Sequence, residues 1–200
     1  MAPPKVSEVA VRKLLMEVAL PTKSEPFALL GVRGYRRDSM GVPGQNDVGI
    51  YDDAIFLVGP NVFVSANANT DPIKLGWNSG VGKPFAMLQC GLWYFRRGSH
   101  RGKTPALRQA TDEEAKTLNI PHNGEFLVER CFGKNDPRNY KEWGYFAINI
   151  HSGGEKSTSS WGCQTIPPDE FTSFMDTVWK STINVKQNRI PYFLLEGPIV

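Results

Sequence analysis

What this chain has little of narrows its function first. In 200 residues it holds three cysteines (Cys90, Cys131, Cys163) and three histidines (His100, His122, His151). An odd, small cysteine count is not a disulfide framework. The histidines are scattered, and neither a His-Glu-x-x-His sequence nor a Cys-x-x-Cys pair occurs, so no metal site is expected. No run approaches the roughly 20 apolar residues of a membrane span. Arg12, Lys13 and Glu17 interrupt the N-terminal segment, which therefore lacks the unbroken apolar core of a signal peptide. Synthesis in the cytoplasm is the expectation. Internal repeats and low-complexity segments are absent, as are helix-turn-helix, RNA-binding and zinc-finger signatures, so no nucleic-acid partner is expected.

What is present points to one globular domain. Hydrophobic residues make up 40% and charged residues 22%, an ordinary balance for a packed chain, and 200 residues suffice for a core without staples. Nineteen glycines and fifteen prolines predict many turns and short strands. The net charge is +3, with Arg33, Arg36, Arg37, Arg96, Arg97 and Arg101 dispersed among glycines and aromatics. That pattern reads as a solvated surface, or as attraction to a polyanion such as a bacterial wall.

The periodicities predict an α+β, strand-rich domain over 1–200 in three stretches: a helical segment at 1–22, a strand-rich half at 23–142, and 143–200 with a helix laid on the sheet. Ser7 caps a short helix to Val18 with Val9, Leu14, Leu15 and Val18 on its apolar side. Strands are expected at Phe27–Val32, Ala54–Val58, Val62–Ala66, Phe85–Phe95, Phe126–Phe132, Tyr145–His151 and Tyr192–Glu196. Gly59-Pro60-Asn61 reads as a turn, Gly76–Gly82 as a loop and Lys134–Lys141 as a polar connector. Thr111 to Glu114 has the form of a capping box. Phe171, Phe174, Met175, Val178 and Trp179 recur at helical period, a core-facing stripe.

The chemistry-bearing residues lie in Tyr145 to Ile166. A strand delivers His151 to its end, a small and polar loop follows, and a second strand-like piece opens with Gly162-Cys163. Twelve positions separate His151 from Cys163, enough for a loop to turn back. An imidazole can take a thiol proton near neutral pH, and a glycine before the cysteine lets backbone N–H groups approach a developing oxyanion.

Ile150-His151-Ser152-Gly153, the loop, and Ser160-Trp161-Gly162-Cys163 with Ile166 resemble the signature of the L,D-transpeptidase catalytic domain, the YkuD-like family. The likeness covers about Tyr145 to Trp179. It implies Cys163 as nucleophile on a stem-peptide carbonyl and His151 as base. The Ser152 carbonyl would orient the imidazole, the Gly162 and Cys163 amides would form an oxyanion hole, and Ser160 and Trp161 would line the site. Tyr145 and His100 are further candidates for substrate contact. Two features depart from the family pattern: the His-to-Cys loop is shorter, and Thr165 stands where the family has an arginine, which favours a hydrolytic or differently loaded member. Gly162 to Ile166 and Asn67 to Pro72 also look like segments of phage lysis proteins.

The expected partner is bacterial peptidoglycan, met by a monomer after release as a phage endolysin or delivery as an effector. The thioester route needs no cofactor. Alternatives stay open. Cys90 precedes His151 in the order of another class of wall peptidase, although its neighbours read as a strand. Cys131 reads as core and His122 as surface. Asp52-Asp53 reads as a turn rather than a catalytic carboxylate pair. Trp77, Trp93, Tyr94, Trp143 and Tyr145 would serve a non-catalytic wall-binding module.

Overall fold

A computed structural model describes residues 5–199. The described chain is α+β and strand-rich, with three α-helices: α1 (Glu8–Met16), α2 (Asp112–Leu118) and α3 (Pro168–Asn184). The strands are β1 (Ala28–Arg33), β2 (Asp53–Gly59), β3 (Val62–Ala68), β4 (Trp77–Asn78), β5 (Lys83–Leu88), β6 (Gly91–His100), β7 (Thr104–Gln109), β8 (Phe126–Cys131), β9 (Tyr140–Gly144), β10 (Asn149–Ser152), β11 (Gln164–Ile166) and β12 (Arg189–Glu196). No helix among the described residues is long and apolar enough to cross a membrane.

Eight strands form one sheet in the order β11-β10-β7-β6-β12-β1-β2-β3, and four form a second, β4-β5-β8-β9. The larger sheet nearly closes on itself. Asn69, just past β3, and Thr165 in β11 exchange two backbone hydrogen bonds of 2.8 Å each. Alternation along the strands divides its residues between two clusters. Leu29, Ile55 and Leu57 join Phe95, Tyr192 and the α3 face Phe171, Phe174, Met175 and Val178 in one. Ala28, Leu30, Val32, Ala54, Phe56 and Val58 join Val11 and Leu15 of α1 in the other. With both faces covered, β2 is buried along its whole length, which explains its unbroken apolar run.

The local signals act where the chemistry places them. Ser7 accepts a hydrogen bond from the Ala10 amide at the start of α1, and Thr111 with Glu114 closes the capping box of α2. Asn61 takes the positive φ of the β2–β3 turn.

Several expectations need correction. Val9 is 77% exposed: it lies two residues before Val11, about 200° around the helix from the buried face. The run Phe85–Phe95 is two strands, because the chain leaves the small sheet after Leu88 and enters the large one at Gly91. Of Tyr145–His151 only the end is strand. Ala147 has φ +53°, and the Phe146 amide donates to Gln109 Oε1 at 2.9 Å instead of to a ladder. β4 interrupts the expected 76–82 loop, and β9 begins inside the expected connector. β7 was not anticipated, and its opening Thr104-Pro105 is exposed. Asp53 opens a strand rather than a turn, and both Asp52 and Asp53 are fully buried.

Gly31 lies against the ring of Tyr192, where an added Cβ would sit 2.7 Å from Cε2. Tyr192 is fully buried and has nowhere to move. Gly31→Ala is expected to lower unfolding free energy by about 1–3 kcal/mol through overpacking, read as a lower urea midpoint at unchanged slope.

Candidate active site

β10 and β11 pair in parallel with His151 opposite Thr165 and Ile150 opposite Gln164. Period two places Asn149, His151, Cys163 and Thr165 on one face, while Ile150 and Ile166 turn into the core. The loop between the strands is tied down at several points. Tyr51 Oη donates to the Gly154 carbonyl at 2.8 Å, the Gly153 amide to Ile166 O at 2.9 Å, and the Ile73 amide to Ser160 O at 2.7 Å. These bonds return the chain so that the Asn149 amide donates to Cys163 Sγ at 3.4 Å. Gly162 has φ +147°, and a Cβ there would lie 2.7 Å from Ala86 O of β5. Glycine is therefore required where the turn before Cys163 crosses the small sheet.

His151 is 6% exposed. Its Nδ1 is 2.7 Å from the Ser152 carbonyl oxygen. A carbonyl can only accept, so Nδ1 carries the proton and Nε2 is the basic nitrogen. The His100 ring stacks on His151 with centroids 4.0 Å apart and planes 14° apart. Asn149 Nδ2 lies 3.1 Å from His100 Nδ1. Burial, then the charges of His100 and Arg101, lower the His151 pKa to about 4 against the bond to Ser152, which raises it. Burial and then Arg101 and Arg108 lower that of His100. Desolvation raises the Cys163 thiol, opposed by the Asn149 amide and Arg101. The resting pair is thus a neutral thiol and a neutral imidazole, not a thiolate–imidazolium pair.

Two cavities meet at Cys163, and Phe146 and Trp161 also border both. One, of about 430 Å³, is lined by His151, His100, Asn149, Arg101 and Arg108. The other, of about 280 Å³, runs between the sheets past Asn78, Val81, Ala86, Arg130 and Tyr145. Trp161 is 57% exposed and walls both. Tyr145 is half exposed, its hydroxyl donating to Asn123 O at 2.6 Å.

Two expected roles do not fit this geometry. Ser160 is 1% exposed and borders neither cavity. Its hydroxyl accepts from the Gly162 amide at 3.0 Å and donates to Cys163 O at 2.5 Å, so it builds the turn instead of touching a ligand. The Gly162 amide, spent on that bond, is not a free oxyanion donor. Arg108 and Asn149 went unrecognised in the sequence, where Arg101 stood only among the dispersed arginines. Arg108 reaches the site because β7 pairs with β10, Arg108 opposite Asn149, and β7 carries no clear strand signal.

Cys163 Sγ donates to the Ala147 carbonyl at 3.8 Å and shares its cavity with His151 and His100, whereas, among the described residues, the other cysteines border no cavity with a histidine. Cys90 is exposed beside Glu196 and Arg33, with its pKa pushed up to about 11 by burial of the sulfur more than by Glu196, against Arg33. Cys131 is buried and pushed up to about 12, chiefly by desolvation. His122 is exposed against Trp143. Among the described residues no three His, Cys, Asp or Glu side chains gather as metal ligands.

No family model matches the chain, and comparisons with curated proteins and with solved structures give no match.

Two outcomes follow from the neutral pair. Alkylation of Cys163 by iodoacetamide, followed on its peptide by mass spectrometry, is expected to rise with pH with a midpoint above the ordinary thiol value of about 8.5. A midpoint below 7 would reveal a stabilised thiolate. Folded His151 takes its proton near pH 4, while the unfolded chain takes it near the ordinary value of about 6.5. The unfolded state then binds more protons between those values, so the His151 contribution to stability is lost as pH falls through that window. His151→Gln is expected to flatten the drop in denaturation midpoint between pH 7 and pH 4.5.

Proposed function

We propose that the protein is a cysteine peptidase or acyl transferase of the YkuD-like type acting on the stem peptides of bacterial peptidoglycan. The observation that carries this reading is the meeting of Cys163 and His151 on one sheet face at one cleft, with Nδ1 of His151 engaged and Nε2 left as base. The motif likeness from Ile150 to Ile166 supplies the substrate class. An endolysin released onto the wall, or a delivered effector, fits the composition and mild positive charge.

Substrate binding brings a peptide carbonyl to Cys163. Sγ bonds to the carbonyl carbon as its proton passes to His151 Nε2. The tetrahedral oxyanion takes a hydrogen bond from the Cys163 amide, since that of Gly162 is engaged. The C–N bond then breaks, His151 returns the proton to the leaving amine, and a thioester remains. Water or an amine resolves it. Trp161 and Tyr145 offer apolar and hydrogen-bonding surface to the peptide, and His100 holds the base by its stack.

A second reading, a non-catalytic wall-binding module, draws on the exposed Trp77, Tyr140, Trp143, Tyr145 and Trp161. One experiment separates the two. Purified Gram-negative sacculi are incubated with wild type, Cys163→Ala and His151→Ala, and the soluble and exchanged fragments are weighed by mass spectrometry. Wild type is expected to release or exchange stem-peptide fragments, Cys163→Ala none, and His151→Ala about 10²–10⁴-fold less. Equal cutting by wild type and Cys163→Ala would remove Cys163 from the chemistry. Retention on sacculi without cutting by any of them would favour the binding module.

A further inference from the structure

We propose that the rings of Trp77 and Tyr140, with Asn78 beside them, form a sugar-binding face that holds the glycan strand of the wall next to the Cys163 cleft. This rests on the reading of the wall as substrate and names what the protein grips besides the peptide.

The face follows from the pairing of the small sheet. Arg130 of β8 lines the 280 Å³ cavity at Cys163. Tyr140 of β9 lies opposite Arg130, and cross-strand partners share a side of the sheet. Phe132, two residues past Arg130, returns to that side. Trp77 of β4 stacks on Phe132 with ring centroids 6.4 Å apart, and the Arg138 guanidinium sits over the Phe132 ring at 4.6 Å. Phe132 thus backs the indole, while Trp77 is 59% and Tyr140 41% exposed.

β4 ties these rings to the cleft. Asn78, the residue after Trp77, lines the 280 Å³ cavity together with Trp161 and Cys163. It is 6% exposed. Its Oδ1 accepts from the Gly80 amide at 3.1 Å, and its Nδ2 has no partner among the described residues. A buried N–H left unpaired is costly, and a ligand carbonyl in the cavity satisfies it. Val81 and Ala86 of the same wall offer apolar surface to a methyl group. Carbonyl and methyl together make an acetamido group, the substituent repeated along the glycan of a bacterial wall.

The charges beside the rings select a neutral sugar chain. Lys83 and Arg130 are both met by Glu142, at 2.5 and 2.8 Å, and Arg138 by Asp136 at 2.7 Å. A polyanion gains little from cations already paired, whereas the carboxylate oxygens accept hydrogen bonds from sugar hydroxyls. The face of an aromatic ring is electron-rich, and the C–H bonds along one side of a pyranose present the opposite polarity to it.

The test is isothermal titration calorimetry of the full chain with a soluble β-1,4-linked N-acetylglucosamine hexamer, which carries no stem peptide, and with the glucose hexamer of the same linkage. Wild type is expected to bind both, the acetylated chain more tightly. Trp77→Ala and Tyr140→Ala are each expected to weaken both by about 10-fold, the usual loss for a truncated aromatic anchor. Asn78→Asp keeps the acceptor for the Gly80 amide and removes the donor. It is expected to weaken the acetylated hexamer about 5-fold and to leave the glucose hexamer unchanged. Trp143 lies opposite Leu127, on the reverse side of β9, and Trp143→Ala is expected to leave both affinities unchanged. Thermal melts check that these variants fold. Absence of binding by wild type, an equal loss in Trp143→Ala, or full affinity in the Trp77→Ala/Tyr140→Ala double variant would each overturn the face. Equal weakening of both hexamers by Asn78→Asp would remove Asn78 from it. Failure of the nucleophile assignment is read separately, from cutting by Cys163→Ala on sacculi.

Discussion

The two hydrogen bonds exchanged between Asn69 and Thr165 hold the geometry on which the cleft depends. β11 is three residues long and has β10 on one side only, too little to fix a strand. The bridge to Asn69 gives it a second neighbour. Asn69 is in turn fastened by its own side chain, which donates to the Asp71 carbonyl and accepts from the Gly49 amide. Thr70 bonds Asp53 through both its amide and its hydroxyl, and Asp71 pairs with Arg33 at 2.8 Å. Arg33 also reaches Glu196 and the carbonyls of Thr70 and Leu88. One buried guanidinium thus organises the ends of β1, β3, β5 and β12, and through Asn69 it sets the strand that begins beside Cys163. A buried pair of this kind contributes little over an apolar substitute, yet removing one partner costs about 3–5 kcal/mol. Burial, with Asp71 and then Asp52 nearby, raises the Asp53 carboxyl well above the ordinary carboxylate range, against the Gly34 and Thr70 amides that bond it.

The same economy of charge shapes the cleft. Stacked imidazoles and a desolvated thiol make separated charges costly at rest, and the pair stays neutral. Under the proposed reaction, activation would wait for the substrate, whose carbonyl would receive the electrons as the proton moves. A thiol held in this form is also a poor target for adventitious oxidants, which attack the thiolate. The Ser152 carbonyl and the His100 ring fix the imidazole from two directions, one through the plane of the ring and one across its face.

Much of this was legible in the sequence because it is local. Apolar stretches bounded by turns found β1, β2, β3, β8 and β12, helical period found α3, and capping chemistry found α1 and α2. His151 at a strand end and Gly162 before Cys163 marked the place to look. What stayed hidden depends on pairing between distant segments. Nothing in Thr104 to Gln109 says that it will lie beside β10, so Arg108 gave no sign of its position. The break at Gln89-Cys90 was masked by apolar residues on both sides, which serve different sheets. Ser160 looked like a ligand contact because its type suits one, and only the turn geometry shows its hydroxyl used up within the backbone. The buried carboxylates at Asp52 and Asp53 were equally unreadable, since their partners come from residues 34, 47 and 70.

The cleft takes its two walls from different sheets, and this separates heredity of chemistry from heredity of taste. The reacting pair and its charged flank belong to the closed sheet, where Arg33 and the Asn69 bridge tolerate little change. The other wall comes mainly from the small sheet, whose outer strand β9 is largely exposed. Substitutions at Asn78 or Val81 alter what the groove accepts without touching the bonds that hold Cys163 and His151 in place. Such a scaffold can change the lining of one wall while the Cys163–His151 face stays constant.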